Sequence, residues 1–219
     1  MELERVDTRR AYELIRAQIT TLEIAPGSVI HEQQLAEELD MGLSPVREAL
    51  KLLAHDSLVV ITPRYGLYVA EVNVPDLEQL SEMRKELESL SARLAALRAT
   101  EDDIVVLEAL RLEQARISAE DSAADSSRRL FDVDHKFHQA VARAAHNQYL
   151  ADALERLFGL SQRLWYLALP QLGFLPSAVE THLDLVDAIE NRDADRAERI
   201  MRGHVQEFYD QVRKVLAKR

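Results

Sequence analysis

Residues 32–50 read EQQLAEELDMGLSPVREAL, and this stretch decides how the first third of the chain folds. Its apolar residues recur at helical spacing on both sides of a turn that contains Gly42. Ser44 is a favoured N-cap residue and Pro45 a favoured first helical residue, so a helix is predicted to start there. The pattern therefore predicts two helices joined by a tight turn, with the second helix facing outward.

The flanking segments complete a small domain. Residues 9–23 carry apolar side chains at helical spacing and predict a helix that precedes the pair. Residues 58–62 and 67–72 are apolar or β-branched and flank the turn residues 63–66, which predicts a two-stranded hairpin. Three helices followed by a hairpin predict a winged helix-turn-helix, the DNA-binding domain that we assign to residues 1–74.

The remainder of the chain, residues 75–219, is predicted to be an all-α bundle. The whole sequence contains only six glycines and six prolines, and six amphipathic segments follow one another after residue 75. The chain is therefore expected to be mainly α, with an N-terminal winged helix-turn-helix and a C-terminal six-helix bundle.

Three local patterns fix parts of that bundle. The helix over 76–99 has an apolar stripe that we expect to face the bundle interior. Thr100 followed by Asp103 predicts a capped helix start. Residues 170–176 contain two prolines and are predicted to end a later helix. The members of the stripe are Leu80, Met83, Leu87, Leu90, Leu94 and Leu97.

The composition limits the function classes. The absence of cysteine excludes disulfides, thiolate zinc sites and cysteine nucleophiles, and it fits the reducing cytoplasm, which is the expected location. The sequence contains no stretch of about 18 apolar residues, so no membrane span is predicted. The phosphate-loop, dinucleotide and serine-hydrolase motifs are also missing. The net charge of −11 argues against a nucleic-acid partner, because such proteins usually carry a basic patch.

The motif around residues 35–50 nevertheless resembles the recognition motif of GntR-family bacterial transcription regulators. Three features fall at the spacing of that family: Pro26-Gly27, the PVREAL block at 45–50, and Gly66. The helical second domain resembles the FCD ligand-binding domain of the FadR-type subgroup. The resemblance implies a transcription regulator that binds double-stranded operator DNA. We further expect a repressor that acts as a homodimer and responds to a small carboxylate effector.

The candidate DNA contacts lie on the outward helix and the wing. Arg47 is in the first turn of that helix, where it could reach a guanine edge or a phosphate, although pairing with a neighbouring Glu is the alternative. Leu43 stands where the family commonly has Arg, and residues 1–74 hold seven basic and twelve acidic residues, a net charge of −5. We therefore expect DNA binding to depend on a few placed groups. The candidates are Arg47, Ser44, Pro45, Arg64, Tyr65, Gly66 and Gln33.

A second constellation lies in the predicted bundle. Asp134 and His138 are four residues apart and share one helical face, while His182 and His204 fall on the last two helices. One carboxylate and three imidazoles suit zinc, nickel, manganese or iron, but hydrogen-bonded histidines are the alternative from the residues alone. The FCD resemblance implies a four-ligand metal site, for which zinc is the expected ion. His135 points away from Asp134 on the helix and is read as a bystander.

The resemblance also implies that Arg84, on the first bundle helix, contacts the carboxylate effector. An ion pair with Glu88 one turn later is the alternative. Two further functions remain open at this point. One is a metal-dependent hydrolase that uses the Asp/His cluster, for which Glu180 is the available base. The other is a regulator in which the metal is purely structural or is itself the signal.

Overall fold

A computed structural model describes residues 2–73, 75–119, 123–172 and 176–216 of the chain. These residues form two compact units. Residues 2–73 group with residues 159–166, and the other described residues form the second unit. Both units are rich in helix, which confirms the prediction of a mainly α chain. No helix among the described residues is long and apolar enough to cross a membrane.

The first unit has the three helices and the wing that the sequence predicts. Strands β2 (Val59–Thr62) and β3 (Gly66–Val69) form the antiparallel hairpin, with Thr62 opposite Gly66 at its tip. A third strand, β1, pairs with the other edge of β3 and was not predicted, because two residues show no periodicity. The elements are α1 (Glu2–Thr20), β1 (Val29–Ile30), α2 (Glu32–Glu38), α3 (Leu43–His55), β2 (Val59–Thr62) and β3 (Gly66–Val69).

The core of this unit forms where α1 packs against α3. Ile15 and Ile19 of α1 and Leu50 and Leu53 of α3 are fully buried in one cluster. The one-turn spacing of these pairs gives each helix one apolar face. That packing leaves the opposite face of α3 in solvent, as a DNA-reading helix requires.

The start of α3 differs from the prediction. Gly42, in an extended conformation, is the N-cap residue and makes no side-chain cap, so the helix begins at Leu43. Ser44 and Pro45 are therefore its second and third residues. Proline is tolerated there because the first-turn N–H groups have no partner within the helix. The free N–H groups of this turn remain available to an anion such as a phosphate.

Among the described residues after 75, the structure contains the predicted six helices, which belong to the second unit except for residues 159–166 of the fourth. Thr100 and Asp103 form the predicted capping box. The break predicted at residues 170–176 lies too early, because the helix runs through Pro170 to Leu172; residues 173–175 lie outside the described part of the chain. The helices are α4 (Asp76–Arg98), α5 (Glu101–Ser118), α6 (Ala123–Ala144), α7 (Gln148–Leu172), α8 (Pro176–Glu190) and α9 (Ala194–Leu216).

The apolar stripe of α4 does not face the interior of the bundle as predicted. Met83, Leu90 and Leu97 are 52%, 41% and 56% exposed, and Leu87 and Leu94 pack only partly against buried residues of α6 and α7. The stripe was misassigned because the buried face of α4, along which α9 packs, consists mainly of small and polar residues. Those buried residues are Leu77, Arg84, Glu88, Ser89, Ser91, Ala92, Ala95 and Ala96.

Candidate metal centre and DNA-reading surface

Four potential metal ligands meet inside the second unit. Asp134 and His138 come from α6, His182 from α8 and His204 from α9. All four are buried, and one ligand atom from each lies within 4.8 Å of the others. Helical spacing accounts only for the pair Asp134 and His138, whereas the FCD resemblance implied all four residues. The packing of three helices brings these four together.

The three imidazole rings present the same nitrogen to one another. His204 Nε2 lies 3.1 Å from His138 Nε2 and 3.3 Å from His182 Nε2. The two Asp134 carboxylate oxygens lie 3.8 Å from His138 Nε2 and 3.6 Å from His182 Nε2. The two distances from Asp134 are too long for hydrogen bonds but suit groups that surround a common point.

The outer nitrogens of two of these rings have buried partners that sequence reasoning missed. His138 Nδ1 donates a hydrogen bond to Glu88 Oε2, and His182 Nδ1 lies 2.8 Å from Gln114 Oε1. A proton on each Nδ1 leaves a lone pair on each Nε2, which is the tautomer that binds metal. Glu88 is on α4 and Gln114 on α5, so no local spacing connects them to the histidines.

The electrostatic surroundings keep most of the set in its metal-binding form. Burial and the neighbouring imidazoles lower the pKa of His182 well below its usual value. Burial, together with His138, lowers the pKa of His204 to about 3, so both rings are neutral at pH 7. Burial raises the pKa of Asp134 to about 6, and its carboxyl is still mainly ionised at neutral pH. The pKa of His138 shifts the other way: burial lowers it, but the charge and hydrogen bond of Glu88 outweigh burial and raise it, so this ring must lose its Nε2 proton when a cation binds. The other three donors offer one negative charge and two neutral imidazole nitrogens.

Aromatic rings surround the cluster. Phe137 is fully buried and stacks on the His182 ring at a centroid distance of 4.0 Å. Phe158 lies edge-on to His138 at 6.0 Å. This apolar surround restricts the ring orientations and lowers the local dielectric around the cluster.

Arg84, the predicted effector ligand, is engaged within the protein. Its Nε donates to Glu88 Oε1 at 2.6 Å, and its Nη1 lies 3.5 Å from the Tyr209 hydroxyl. The guanidinium also lies 4.8 Å from the centre of the Phe158 ring. The structure thus contains the ion pair that the sequence left as the alternative, and both partners are buried.

Two other residues considered from the sequence lie outside the ligand set. His135 packs edge-on against Phe158 at 5.4 Å and is not part of the four-residue group. Glu180, the base required by a hydrolase, is exposed on α8, whereas all four candidate ligands are buried. Glu180 is thus not one of the clustered groups in the described part of the chain.

The DNA-reading candidates on α2 and α3 are mostly exposed. Arg47 is exposed, and its Nε donates to Glu32 Oε2 at 2.9 Å. Ser44 and Gln33 are also exposed, whereas Pro45 is buried and presents no surface to DNA. The proposed role of Pro45 is therefore corrected to packing within the first turn, where it lies against Gly42.

The wing supplies the other candidates. Tyr65 is 76% exposed at the hairpin tip, and its N–H donates to Thr62 O. Arg64 and Gly66 on either side have φ values of 71° and 111°. A positive φ is unusual for arginine and easy for glycine. The hairpin therefore holds Arg64 in a backbone conformation that arginine rarely adopts.

The fold and the site together define a class of protein. A winged helix-turn-helix followed by an all-α bundle with a buried Asp/His cluster is typical of a regulator that binds DNA with one domain and a ligand with the other. The family model described as bacterial regulatory proteins, gntR family, matches residues 7–69, and the FCD domain model matches residues 79–207. The chain belongs to the GntR family of transcription regulators and carries an FCD domain.

Characterised relatives and solved structures agree. The HTH-type transcriptional repressor RspR of Escherichia coli K12 is 31% identical over 94% of this chain and 89% of its own length. The Nta operon transcriptional regulator of Aminobacter aminovorans is 27% identical over 87% of each chain. The structure of E. coli McbR/YncC shares the fold, with a TM-score of 0.82 and 21% identity over 94% of this chain and 96% of that one.

Replacing one ligand tests the cluster. We expect His182→Gln to weaken zinc binding by more than the roughly 10–100-fold that loss of an outer partner costs, because it removes a donor itself. Competition against a chromophoric zinc chelator measures the affinity. His135→Gln, the same change on a histidine outside the set, should leave the affinity unchanged. Equal zinc affinities for the two variants would contradict the assignment.

Proposed function

We propose that this regulator represses transcription as a cytoplasmic homodimer, and that a small carboxylate bound at a metal site in the FCD domain changes its operator affinity. The observation that carries the proposal is the buried convergence of Asp134 with three histidine Nε2 atoms. A cation among these atoms would offset the cost of gathering a carboxylate and three imidazole nitrogens in a low-dielectric interior. If these four positions served packing alone, apolar side chains could fill them instead.

The donor set fits a divalent transition metal. Asp134, His138, His182 and His204 would hold the ion, for which we propose zinc, with nickel, manganese and iron as the other ions of suitable chemistry. Four protein donors leave a position open on an ion that takes five or six ligands, and an effector carboxylate would bind there.

A further donor supports a ligand that carries oxygen atoms. Gln114 is fully buried, and its oxygen is committed to His182. Its side-chain nitrogen has no hydrogen-bond partner among the described residues. A buried donor left unmatched costs about 1–3 kcal/mol, so a carboxylate oxygen that accepts from it would gain affinity.

The operator is proposed to contact α3 and the wing. Arg47 and Ser44 lie at the start of α3, where helix N–H groups also favour a phosphate. Arg64 and Tyr65 would reach DNA from the hairpin tip. Glu32 holds Arg47 through Nε only, so the remaining guanidinium donors can still reach a base or a phosphate.

The exposed stripe of α4 supports the homodimer. Met83, Leu90 and Leu97 repeat every seven residues and lie in solvent on one face of the helix. The same stripe on a second copy would cover it through a two-fold interface. Two linked reading domains would compensate for the acidic charge of each, because binding of two half-sites multiplies the effective affinity.

Regulation requires that the effector distinguish two states of the dimer. A carboxylate can shift operator affinity only if it binds one arrangement of the protein more tightly than the other. The metal site is built from α6, α8 and α9, and its outer partners lie on α4 and α5. An effector bound there would act on five of the bundle helices at once.

Thermal unfolding tests the metal and the effector together. We expect zinc to raise Tm, and monocarboxylates that bind free zinc weakly, such as acetate and lactate, to raise it further only when zinc is present. Binding to the folded state at a hundredfold excess over Kd adds about 2.7 kcal/mol of stability. Stabilisation by zinc with no further effect of any carboxylate would favour the structural or metal-sensing alternative.

Arg47 provides the test of the reading surface. We expect Arg47→Ala to weaken binding to a palindromic site, selected by the full chain from random duplexes, by about 5- to 150-fold. Fluorescence anisotropy at fixed salt measures this change. Arg9→Ala removes another exposed, ion-paired arginine, on α1, and should have little effect. If the two variants lost affinity equally, Arg47 would have no special place in the interface.

The α4 stripe can be tested through the mass of the particle. Leu90→Glu should convert the dimer to a monomer, because two buried carboxylates would face each other across a two-fold axis. Light scattering coupled to size exclusion measures the mass. Leu112→Glu is the matched control, since Leu112 is 62% exposed on α5 and outside the stripe. A dimer that persists in Leu90→Glu would place the interface elsewhere.

A further inference from the structure

A continuous chain of ionisable side chains runs from α4 to the candidate metal centre. Glu88 is buried and uses its two carboxylate oxygens for two different partners. Oε1 accepts from Arg84 Nε at 2.6 Å, and Oε2 accepts from His138 Nδ1. Arg84 and His138 are buried as well, so the whole chain is removed from solvent.

An isolated structural ion pair would not require this arrangement. Residues four apart on a helix pair readily through their side chains, and Arg84 with Glu88 would satisfy that geometry alone. The second oxygen of Glu88 is instead directed across the bundle to α6, where it contacts the outer nitrogen of a candidate ligand. Burying an ionised carboxylate at this position is costly unless each of its oxygens accepts a hydrogen bond.

We infer that Glu88 is a positioning residue for the metal site: it fixes the tautomer and ring orientation of His138 so that Nε2 faces the other donors. The inference rests on the metal site proposed above. A carboxylate behind a ligating imidazole also makes that imidazole a stronger donor, and loss of such a partner typically weakens metal binding 10–100-fold.

The partner of His182 differs in charge. Gln114 places an amide oxygen 2.8 Å from His182 Nδ1, so the two rings are oriented in the same sense by a charged and a neutral acceptor. His138 is thereby distinguished as the most strongly polarised donor of the set. Arg84 acts as the counter-ion that allows Glu88 to remain ionised in the interior.

The test compares zinc affinities of folded variants of the full chain. We expect Glu88→Leu, which removes the acceptor for His138 Nδ1, to bind zinc 10–100-fold more weakly in chelator competition. Because that variant leaves Arg84 buried without a counter-ion, the double variant Arg84→Met/Glu88→Leu removes both charges and keeps side chains of similar size. The double variant should show the same loss, with far-UV circular dichroism of the metal-free protein unchanged. The visible spectrum of bound Co²⁺ should also shift, since it responds to ligand positions.

Glu86→Leu is the matched control. Glu86 is on the same helix but is exposed and paired with Arg202, so its replacement should leave zinc affinity and the Co²⁺ spectrum unchanged. If the double variant kept wild-type zinc affinity and an unaltered Co²⁺ spectrum, the positioning role of Glu88 would be refuted, while the metal site itself would stand. Failure of the wild-type protein to bind zinc would instead refute the metal site, and the inference would fall with it.

Discussion

Three histidine Nε2 atoms directed at one another inside a helical bundle are the constraint from which the rest of the second unit follows. Such a cluster is stable only when the outer ring nitrogens are satisfied and the charges balance. Glu88 and Gln114 supply the acceptors, and Arg84 balances Glu88. The interior of α4 therefore carries polar and small side chains, and its leucines are displaced to the outside.

The acidic reading domain becomes understandable at the level of single contacts. Its net charge is −5, yet the start of α3 and the tip of the wing present Arg47, Ser44 and Arg64 to solvent. Glu32, one of the acidic residues, is hydrogen-bonded to Arg47. The net charge governs the non-specific electrostatic attraction to DNA. The hydrogen-bond donors at the start of the reading helix determine which bases it can recognise.

The sequence predicted those parts of the fold that depend on local periodicity. The helix-turn-helix, the wing and the Thr100–Asp103 capping box follow from spacing, and Asp134 with His138 follows from the pitch of a helix. Prediction failed where tertiary packing decides. The stripe of α4 has the pattern of a core face but lies outside, and Glu88 and Gln114 meet their histidines only because α4 and α5 pack beside α6 and α8. The start of α3 moved by two residues because an extended Gly42 can serve as the cap.

Helix α4 has two faces with incompatible demands, and this restricts how it can move. One face holds Arg84 and Glu88 in registry with His138, and the other presents Met83, Leu90 and Leu97 to solvent. A roll of the helix by one residue, about 100°, would take the Glu88 carboxylate away from His138 Nδ1. A rearrangement of α4 that keeps the contact between Glu88 and His138 must therefore preserve the rotation of the helix, and its two faces then move together.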